Sequence, residues 1–386
     1  MKAKRVIAIT VLALSLSGSV TLAYAEQDNV KVESSKKGVV ELTLNKAIEE
    51  ALTNNPTIEQ SKLGVEQAQV NFEETRSLMR KNRRLINDDK ERSLEYLKGV
   101  KLLEITSDFS LVNAERNHNA TIENIKCDIE EQYFRLLQAE KLTEINKNNI
   151  DLSKELYNIS KKKLDLGVTT KQEVLSSELN QINAQNDYDQ SVKNLKNAKM
   201  LFNTKLGYDV LQDTKLTDEL KYKEFKVESI DDAVNKALEN RNEIKAAEFN
   251  YELEKFNMEV TKGEYANITY KYREQEVKLE KAKQSFEDAK KNIEMEVRST
   301  YLEMLQKEEE IKKGQKSLEL AKEGLRLSKL SYEAGVGVFT DLEKAQNTLM
   351  QAELGLYNSI LEYNLAVLKF DEVTGIGRSI TSAPSI

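Results

Sequence analysis

Apolar residues recur at steps of three and four positions along much of the chain, and the clearest stretch lies near the C-terminus. Its members are Leu342, Ala345, Leu349, Ala352, Leu356, Ile360, Tyr363, Val367 and Phe370. The opposite faces carry Lys, Glu, Gln and Asn. This pattern is typical of a coiled-coil seam, in which small residues let two helices approach closely. It therefore predicts long amphipathic helices that pack against one another.

Glycines interrupt this helical pattern and divide it into arms. The predicted arms are 121–166, 169–206, 275–334 and 338–373. The first pair is broken at Gly167 and the second at Gly335 and Gly337, and Gly supplies the left-handed conformation that ends a helix. Only two or three residues separate the arms of a pair. Each pair is therefore expected to fold back on itself as an antiparallel hairpin.

The two halves of the chain repeat each other. At an offset of 168 positions the matched residues are Tyr133 and Tyr301, Leu137 and Leu305, Gly167 and Gly335, and Gly207 and Gly375. An earlier block matches at an offset of 186 and pairs Thr43 with Ser229, two residues suited to cap a helix. The offsets differ by 18, so the first repeat carries 18 more residues between the two blocks. A duplicated helical hairpin is the predicted architecture.

These matches divide the chain into six predicted segments. They are a signal peptide (1–25), an N-terminal linker (26–41), a first helical repeat (42–207), a connector (208–228), a second helical repeat (229–377) and a C-terminal tail (378–386). The connector lacks helical periodicity, and we predict one short strand within it, at 222–227.

Composition supports the helical interpretation. The chain has 386 residues, of which 32% are charged, and only two are proline, Pro56 and Pro384. Average usage of about 5% would place roughly sixteen prolines between these two. Because proline marks turns, edge strands and helix ends, its absence argues against a loop-rich α/β or all-β chain. The expected fold class is all-α, with little or no β structure and with Pro56 in the first turns of the starting helix.

The N-terminus has the pattern of a secretory signal. Three basic residues precede an apolar run at 6–16 and an Ala-Tyr-Ala cleavage motif at 23–25. An uncleaved membrane anchor is the alternative, but the run soon dilutes into Ser, Gly and Thr. Cleavage removes three positive charges and no negative ones, so the formal net charge falls from −7 to −10. We predict an exported, acidic protein of the cell envelope, without a nucleic-acid partner.

Residues that could carry chemistry are scarce. His118 is the only histidine and Cys127 the only cysteine, and their spacing of nine positions puts them on opposite faces of a helix. The acidic run at 308–310 is typical of a solvated helix face. No phosphate loop, nucleophile elbow or H-E-x-x-H motif is present. We expect no enzyme, no cofactor and no metal, with His118 exposed and Cys127 half-buried.

Start and tip motifs in both halves resemble the TolC family of outer-membrane efflux proteins. The motifs are LTLNKAIEEALTNNP at 42–56, LDLGVTTKQEV at 164–174, YEAGVGVFTDL at 332–342 and the terminal Thr-Gly at 374–375. The resemblance covers about 40–377. It implies a homotrimer whose twelve long helices form a hollow coiled-coil α-barrel. It also implies that the hairpin tips meet an adaptor protein, which works with a transporter of the inner or cytoplasmic membrane. The tip and entrance residues it picks out are Leu166, Gly167, Val168, Tyr332, Gly335, Val336 and Gly337.

The chain departs from this family in two respects. Members usually insert a β-hairpin between the start helix and the long arm of each repeat. Here the first such place, 76–98, is densely charged and the second, 262–272, is short. We therefore expect helix-to-helix turns without lipid-spanning strands, which leaves outer-membrane insertion or a single-membrane envelope open. At the tip, the family's gate Arg is replaced by Gly337, so its ion pair does not carry over, whereas Tyr332 is retained.

Two acids follow the tips, Glu173 and Asp341. In a trimer they would place six carboxylates near the entrance, a ring that attracts cations by focusing the electric field. They also suit the first turn of a helix, where the dipole favours acids, and the two interpretations are compatible. The predicted function is a gated duct of a multi-part efflux or type I-like export system. The alternative is a secreted coiled-coil scaffold of the envelope without transport activity.

Overall fold

The structure is a computed structural model that describes residues 38–85 and 90–377. The predicted signal peptide, most of the predicted linker, and the tail with Pro384 lie outside these residues. The helices, in chain order, are α1 (Leu44–Asn54), α2 (Pro56–Leu85), α3 (Lys90–Asp165), α4 (Lys171–Leu206), α5 (Ile230–Asn240), α6 (Asn242–Glu264), α7 (Tyr270–Glu333) and α8 (Phe339–Thr374). The mainly all-α fold class is confirmed.

The helices reproduce the predicted repeat. α1 and α5 have 11 residues each, and α4 and α8 have 36 each. The extra residues of the first repeat lengthen its other hairpin, because α2 has 30 residues against 23 in α6, and α3 has 76 against 64 in α7. At 1.5 Å per residue, α3 is about 115 Å long and α7 about 95 Å. The long arms thus begin earlier than the predicted positions 121 and 275.

Each repeat begins with a capped short helix and a sharp bend. The Thr43 hydroxyl accepts a hydrogen bond from the Lys46 amide, and Ser229 does the same for Asp232, as the two capping predictions required. The bend after α1 falls at Asn55, and Pro56 is the first residue of α2. The expectation that Pro56 lies in the first turns of the starting helix is therefore wrong. Proline has no amide hydrogen to donate and disfavours a helical residue before it, which explains this placement.

The strands are few and short within the described residues. β1 (Val40–Leu42) pairs in parallel with β2 (Thr214–Leu216). β1 therefore begins inside the predicted linker. The strand predicted at 222–227 is wrong, because this segment runs along α8 without a strand partner. Its aromatic rings pack there instead, with Tyr222 5.1 Å from Tyr363 and Phe225 6.1 Å from Phe370.

The long helices form four columns. Two columns are single helices, α3 and α7. A third consists of α2 and α4 end to end, since a Cβ on Gly207 after α4 would lie 3.3 Å from the Asn54 side chain. The fourth consists of α6 and α8, where the Asn242 amide donates to the Ile376 carbonyl over 3.0 Å. Because α3 packs against α2, α4, α6 and α8, and α7 against α6 and α8, the α2–α4 column and α7 are the two edges.

The columns have two distinct ends. We call the end with the α3–α4 and α7–α8 connections the tip end, and the end with the α6–α7 connection the turn end. The α6–α7 connection is the expected helix-to-helix turn, at 265–269, and the α2–α3 connection at 86–89 lies outside the described residues. The main hydrophobic core surrounds α1, α5 and the strands, and a smaller core fills the tip end with Leu156, Tyr332, Phe339 and Leu342.

Candidate functional site at the hairpin tips

The two tips have the same backbone conformation. Gly167 and Gly335 both adopt the left-handed conformation, with φ of +71° and +77°. Behind them the Val168 amide donates to the Lys163 carbonyl (2.9 Å) and the Val336 amide to the Ser331 carbonyl (3.1 Å). This six-residue closure ends a helix with its last carbonyls satisfied. The glycines predicted to break the arms therefore do so in the same way in both repeats.

Gly337 serves a different purpose from the other tip glycines. A Cβ added there would lie 2.8 Å from the Ser331 hydroxyl oxygen and 3.0 Å from the Tyr332 amide nitrogen. Its own amide donates to the Ser331 carbonyl over 2.9 Å. The backbone here lies close to the end of α7, so a larger residue would require the Ser331–Tyr332 segment to shift by a few tenths of an ångström. Glycine suits this close approach.

Tyr332 joins the two hairpins at their tips. Its side chain is buried, and its hydroxyl donates a hydrogen bond to the carboxylate of Glu173 at the start of α4. Lys163, near the end of α3, donates from Nζ to the Tyr332 carbonyl over 2.6 Å, and Nζ lies 3.5 Å from the ring centroid. The ring also packs edge-on against Phe339, 5.8 Å away. A cation is therefore present at Tyr332, supplied by the opposite hairpin.

The environment of Tyr332 keeps its hydroxyl protonated. Burial, followed by the hydrogen bond to Glu173, raises the pKa of Tyr332 to about 12, although the hydrogen bond to Ser160 acts in the opposite direction. The phenol therefore remains a donor over the whole physiological range. The Tyr332–Glu173 contact is stable because one partner is an anion and the other a neutral donor.

The outermost side chains of both tips are apolar and exposed. Leu166 is 76% exposed, Val168 68% and Val336 82%. Exposed apolar residues that are clustered, rather than scattered, mark surfaces that contact another protein or a membrane. The sequence predicted these positions from the resemblance, and the structure brings them to the same end of the columns.

The two acids predicted near the entrance lie in different environments. Glu173 is in the first turn of α4, is half-buried and accepts the hydrogen bond from Tyr332. Asp341 is in the first turn of α8 and is exposed. Both positions match the preference of a helix N-terminus for acids. Glu173 is thus already engaged within its own copy.

A second polar contact between the hairpins lies farther from the tips. Gln346 on α8 is 1% exposed, and its Nε2 donates to Asn149 Oδ1 (2.8 Å) and to Ser153 Oγ (2.6 Å) on α3. Its Oε1 accepts from Asn180 of α4 over 3.2 Å. The sequence analysis missed this group and also Lys163. The one available signal was a polar residue four positions after Leu342, on the apolar stripe of α8.

The lone histidine and cysteine are far from the tips. His118 is half-buried, with Nδ1 2.7 Å from the Ser61 hydroxyl of α2, so the expectation of an exposed side chain is wrong. The His118 side chain is partly covered because α2 packs on α3 there. Cys127 is half-buried as expected, and burial followed by the charge of Glu130 raises the pKa of its thiol to about 11. Residues 38–85 and 90–377 hold no group of three His, Cys, Asp or Glu placed to bind a metal ion.

None of the helices in the described part of the chain combines the length and the apolar composition that crossing a bilayer requires.

No protein-family model matches the sequence, and no curated protein matches it. The fold, in contrast, is similar to solved structures of outer-membrane proteins. CusC aligns with a TM-score of 0.71 at 13% identity, covering 88% of this chain and 93% of that one. VceC from Vibrio cholerae aligns with a TM-score of 0.65 at 12% identity, covering 86% of this chain and 96% of that one. The open state of the MtrE outer membrane channel from Neisseria gonorrhoeae aligns with a TM-score of 0.64 at 15% identity, covering 88% of this chain and 90% of that one.

These alignments extend over nearly the whole of each chain. The protein therefore has the fold of the TolC-type outer-membrane channels, and the fold expected from the start and tip motifs is confirmed.

Proposed function

We propose that the protein is the duct of a cell-envelope export system, in which three copies form a hollow helical tube that opens and closes at its tips without a catalytic step. The observation that carries this proposal is the likeness to channels over 86–88% of the chain. We propose an envelope location on the same ground. The partners would be an adaptor protein at the tips and a membrane transporter beyond it.

The two edges of the four columns support ring formation. Exposed apolar side chains on the α4 edge are Leu175, Leu179, Ile182, Val192 and Leu201. Those on the α7 edge are Met295, Leu302, Leu305, Leu320, Leu327 and Leu330. Different edges that meet head to tail generate a ring when the rotation closes. The α4 edge of one copy would then cover the α7 edge of the next.

Exposed side chains on the α4 edge and on the α7 edge lie at similar distances from the tip end. Leu201 lies 30 residues from the start of α4 at the tip, and Leu305 lies 28 residues from the end of α7 at the tip. At 1.5 Å per residue these distances are about 45 Å and 42 Å. The pair is therefore suited to a cross-linking test. Leu201→Cys and Leu305→Cys are combined with Cys127→Ser and treated with a short bismaleimide.

The expected product is a covalent ladder that ends at three chains. Leu201→Cys alone in the same background should give no ladder, because the α7 edge of the neighbouring copy would then carry no cysteine. Imaging of residues 26–386 provides an independent test, and a threefold hollow cylinder is expected. A monomer at high concentration, or a solid rod, would contradict the duct and favour an envelope scaffold.

The tip contacts support gating. In each copy Tyr332 bonds to Glu173 and Lys163 of the opposite hairpin, which would hold the hairpins in one closed arrangement. Asp341 of three copies would add an acidic ring at this entrance. The exposed Leu166 and Val336 would form the adaptor contact. Leu166→Asp with Val336→Asp should abolish export and binding of the adaptor protein, whereas Val112→Asp on α3 should preserve both.

A further inference from the structure

The α6–α7 connection at the turn end exposes two large apolar side chains. Ile268 is 82% exposed, and Tyr270, the first residue of α7, is 90% exposed. The turn between the helices is well defined, because the Thr269 hydroxyl accepts a hydrogen bond from the Tyr272 amide and donates one to the Ala266 carbonyl over 2.8 Å. A fixed turn therefore presents an aliphatic and an aromatic side chain to the surroundings.

Basic residues flank this turn on both sides. Lys262 precedes it on α6, and Lys271 and Arg273 follow it on α7, and all three are exposed. The Lys271 Nζ donates to the Tyr265 hydroxyl over 3.2 Å and lies 5.1 Å from the centroid of the Tyr265 ring. The turn thus combines apolar, aromatic and cationic groups within about ten residues of chain.

The acids closest in sequence do not neutralise these three cations. Glu264 forms its ion pair with Lys98 of α3, and Glu274 forms one with Lys278 over 2.9 Å. Among the described residues, no carboxylate lies within 4.0 Å of the three basic side chains beside the turn. Their charge is therefore available to a partner.

The end of α2 adds positive charge at the same end of the columns. Positions 75–85 hold five basic residues and no acidic one, in a chain with a formal net charge of −7. Lys98, the partner of Glu264, is eight residues from the start of α3, and position 77 is eight residues from the end of α2. The exposed Arg80 and Lys81 therefore lie about 5 Å beyond the level of the α6–α7 turn.

This combination of groups matches the surface of an anionic membrane. Tyrosine is favoured at the boundary between lipid and water, because its ring is apolar and its hydroxyl is polar. Clusters of four to eight Lys and Arg residues are attracted to anionic lipid headgroups. A water-soluble phosphate polymer would use the same cations but would leave Ile268 in water. The exposed apolar pair therefore favours the lipid surface.

We infer that the turn end binds the surface of an anionic membrane, with Ile268 and Tyr270 among the headgroups and the basic side chains on lipid phosphates. The contact is peripheral, and it lies at the opposite end from the tips that are proposed to meet the adaptor. A single copy carries the whole surface, so the inference goes beyond the proposed duct and does not depend on it. In a trimer, three turns on one surface would strengthen the contact.

A single tryptophan tests whether the turn enters the lipid. The chain contains no tryptophan, so Ile268→Trp in residues 26–386 is a unique fluorescent probe. Vesicles of phosphatidylglycerol and phosphatidylcholine should shift its emission to shorter wavelength, and brominated phosphatidylcholine in them should quench it. Vesicles of phosphatidylcholine alone should bind roughly tenfold more weakly or less. Val112→Trp, at a position that is 50% exposed on α3, is the matched control and should show neither effect.

Charge reversal tests the basic side chains. Lys271→Glu with Arg273→Glu should weaken binding to the anionic vesicles roughly tenfold or more, as measured by flotation. Lys147→Glu with Lys154→Glu changes the net charge equally at exposed positions on α3 nearer the tip end, and should leave binding unchanged. An equal loss in both variants would show that only the net charge matters and would overturn the assigned surface.

The other outcomes are also decisive. Absence of binding to anionic vesicles would overturn the inference. Binding that soluble polyphosphate displaces, with the Ile268→Trp emission unquenched, would overturn it in favour of an anionic polymer. The cross-linking ladder from Leu201 and Leu305 reports on the duct separately. A ladder without vesicle binding would remove the membrane contact and leave the duct, and vesicle binding without a ladder would do the reverse.

Discussion

At the scale of single residues, Tyr332 contacts three other helices at the tip. One side chain meets α3 through Lys163, α4 through Glu173 and α8 through Phe339. The ring is buried and the hydroxyl is the group that reaches the other hairpin. Removal of the hydroxyl alone should therefore loosen the tip without disturbing its packing.

Tyr332→Phe should open the tip while the columns remain folded. The lost bond to a carboxylate is worth about 1.5 kcal/mol, which corresponds to roughly tenfold faster opening of the tip. Hydrogen exchange at the Val168 and Val336 amides measures this opening. Tyr270→Phe is the control, because Tyr270 is 90% exposed at the other end. Unchanged exchange in Tyr332→Phe would show that the hydroxyl does not hold the hairpins together.

The raised pKa of Tyr332 predicts how the tip responds to alkali. The folded chain holds the phenolic proton up to about pH 12, whereas an unfolded tyrosine loses it near pH 10. The resulting stabilisation is fully present below about pH 10 and is lost as the pH rises through 12. The difference in tyrosinate absorbance between the wild type and Tyr332→Phe should therefore show a step near pH 12. A step near pH 10 would mean that the hydroxyl is free.

Cys127 should react slowly with thiol reagents. Because burial raises its pKa to about 11, its thiolate fraction at pH 8 is roughly two orders of magnitude below that of a free cysteine. Alkylation by iodoacetamide at pH 8 is the measurement, with glutathione as the reference thiol. The rate should approach that of glutathione in denaturant. An equally fast reaction of the folded chain would contradict the buried setting of the thiol.

Sequence reasoning reached some of these residues and not others. Gly167, Gly335 and Tyr332 could be located because a turn or a motif constrains them locally. Lys163 and Gln346 could not, because their partners are 169 and up to 197 positions away. A lysine on a charged helix looks the same whether it faces water or a tyrosine ring. Contacts between the two hairpins depend on how the columns pack, which no local spacing records.

At the scale of elements, Arg241 holds the end of α8 to the start of α6. Its side chain is 7% exposed and forms ion pairs with Glu243 and Glu296, both at 2.9 Å. It also donates to the Val373 carbonyl over 3.2 Å. Gly377 lies so close that a Cβ there would be 2.6 Å from Arg241 Nε. The arginine thus fixes the junction at which one column passes from α8 to α6.

Arg241→Ala should lower the free energy of unfolding by about 2 kcal/mol, because it removes a buried side chain and its hydrogen bonds to two half-exposed carboxylates and the Val373 carbonyl. Urea unfolding followed by circular dichroism measures the change. Arg326→Ala is the control, since its ion pair with Glu323 is exposed on both sides, and it should leave the midpoint unchanged. If Arg241→Ala also leaves the midpoint unchanged, Arg241 acts only as a surface charge.

The boundaries of the elements were harder to predict than the elements themselves. The repeat, the arms and the caps followed from periodicity and from Thr43 and Ser229. Pro56 begins α2 instead of lying in the starting helix, and Asn242, 186 positions later, begins α6 after the same kind of bend at Arg241. The connector has alternating aromatic residues, but these pack on a helix instead of in a sheet. An alternating pattern shows that one face of the segment is buried, but it does not show whether a helix or another strand buries that face.

At the scale of the whole molecule, stability should depend on assembly. The edge side chains of α4 and α7 are covered only if copies meet, so the melting temperature should rise with protein concentration. Leu305→Glu would place a charge in the proposed seam, and should give a lower melting temperature that no longer depends on concentration. Val112→Glu, on α3, should behave like the wild type. Scanning calorimetry over a hundredfold range of concentration measures both, and a constant wild-type value would count against the ring.

The unbroken length of α3 has a mechanical consequence. Its 76 residues run from the turn end to the tip with no interruption, as a single rod of about 115 Å. A rod of that length acts as a lever, so that a tilt of about 5° at one end moves the other by about 10 Å, the diameter of a helix. The two ends need not exchange a chemical signal for one to sense the other. In the proposed duct, leverage alone would convert a small rotation at the base into an aperture at the tip.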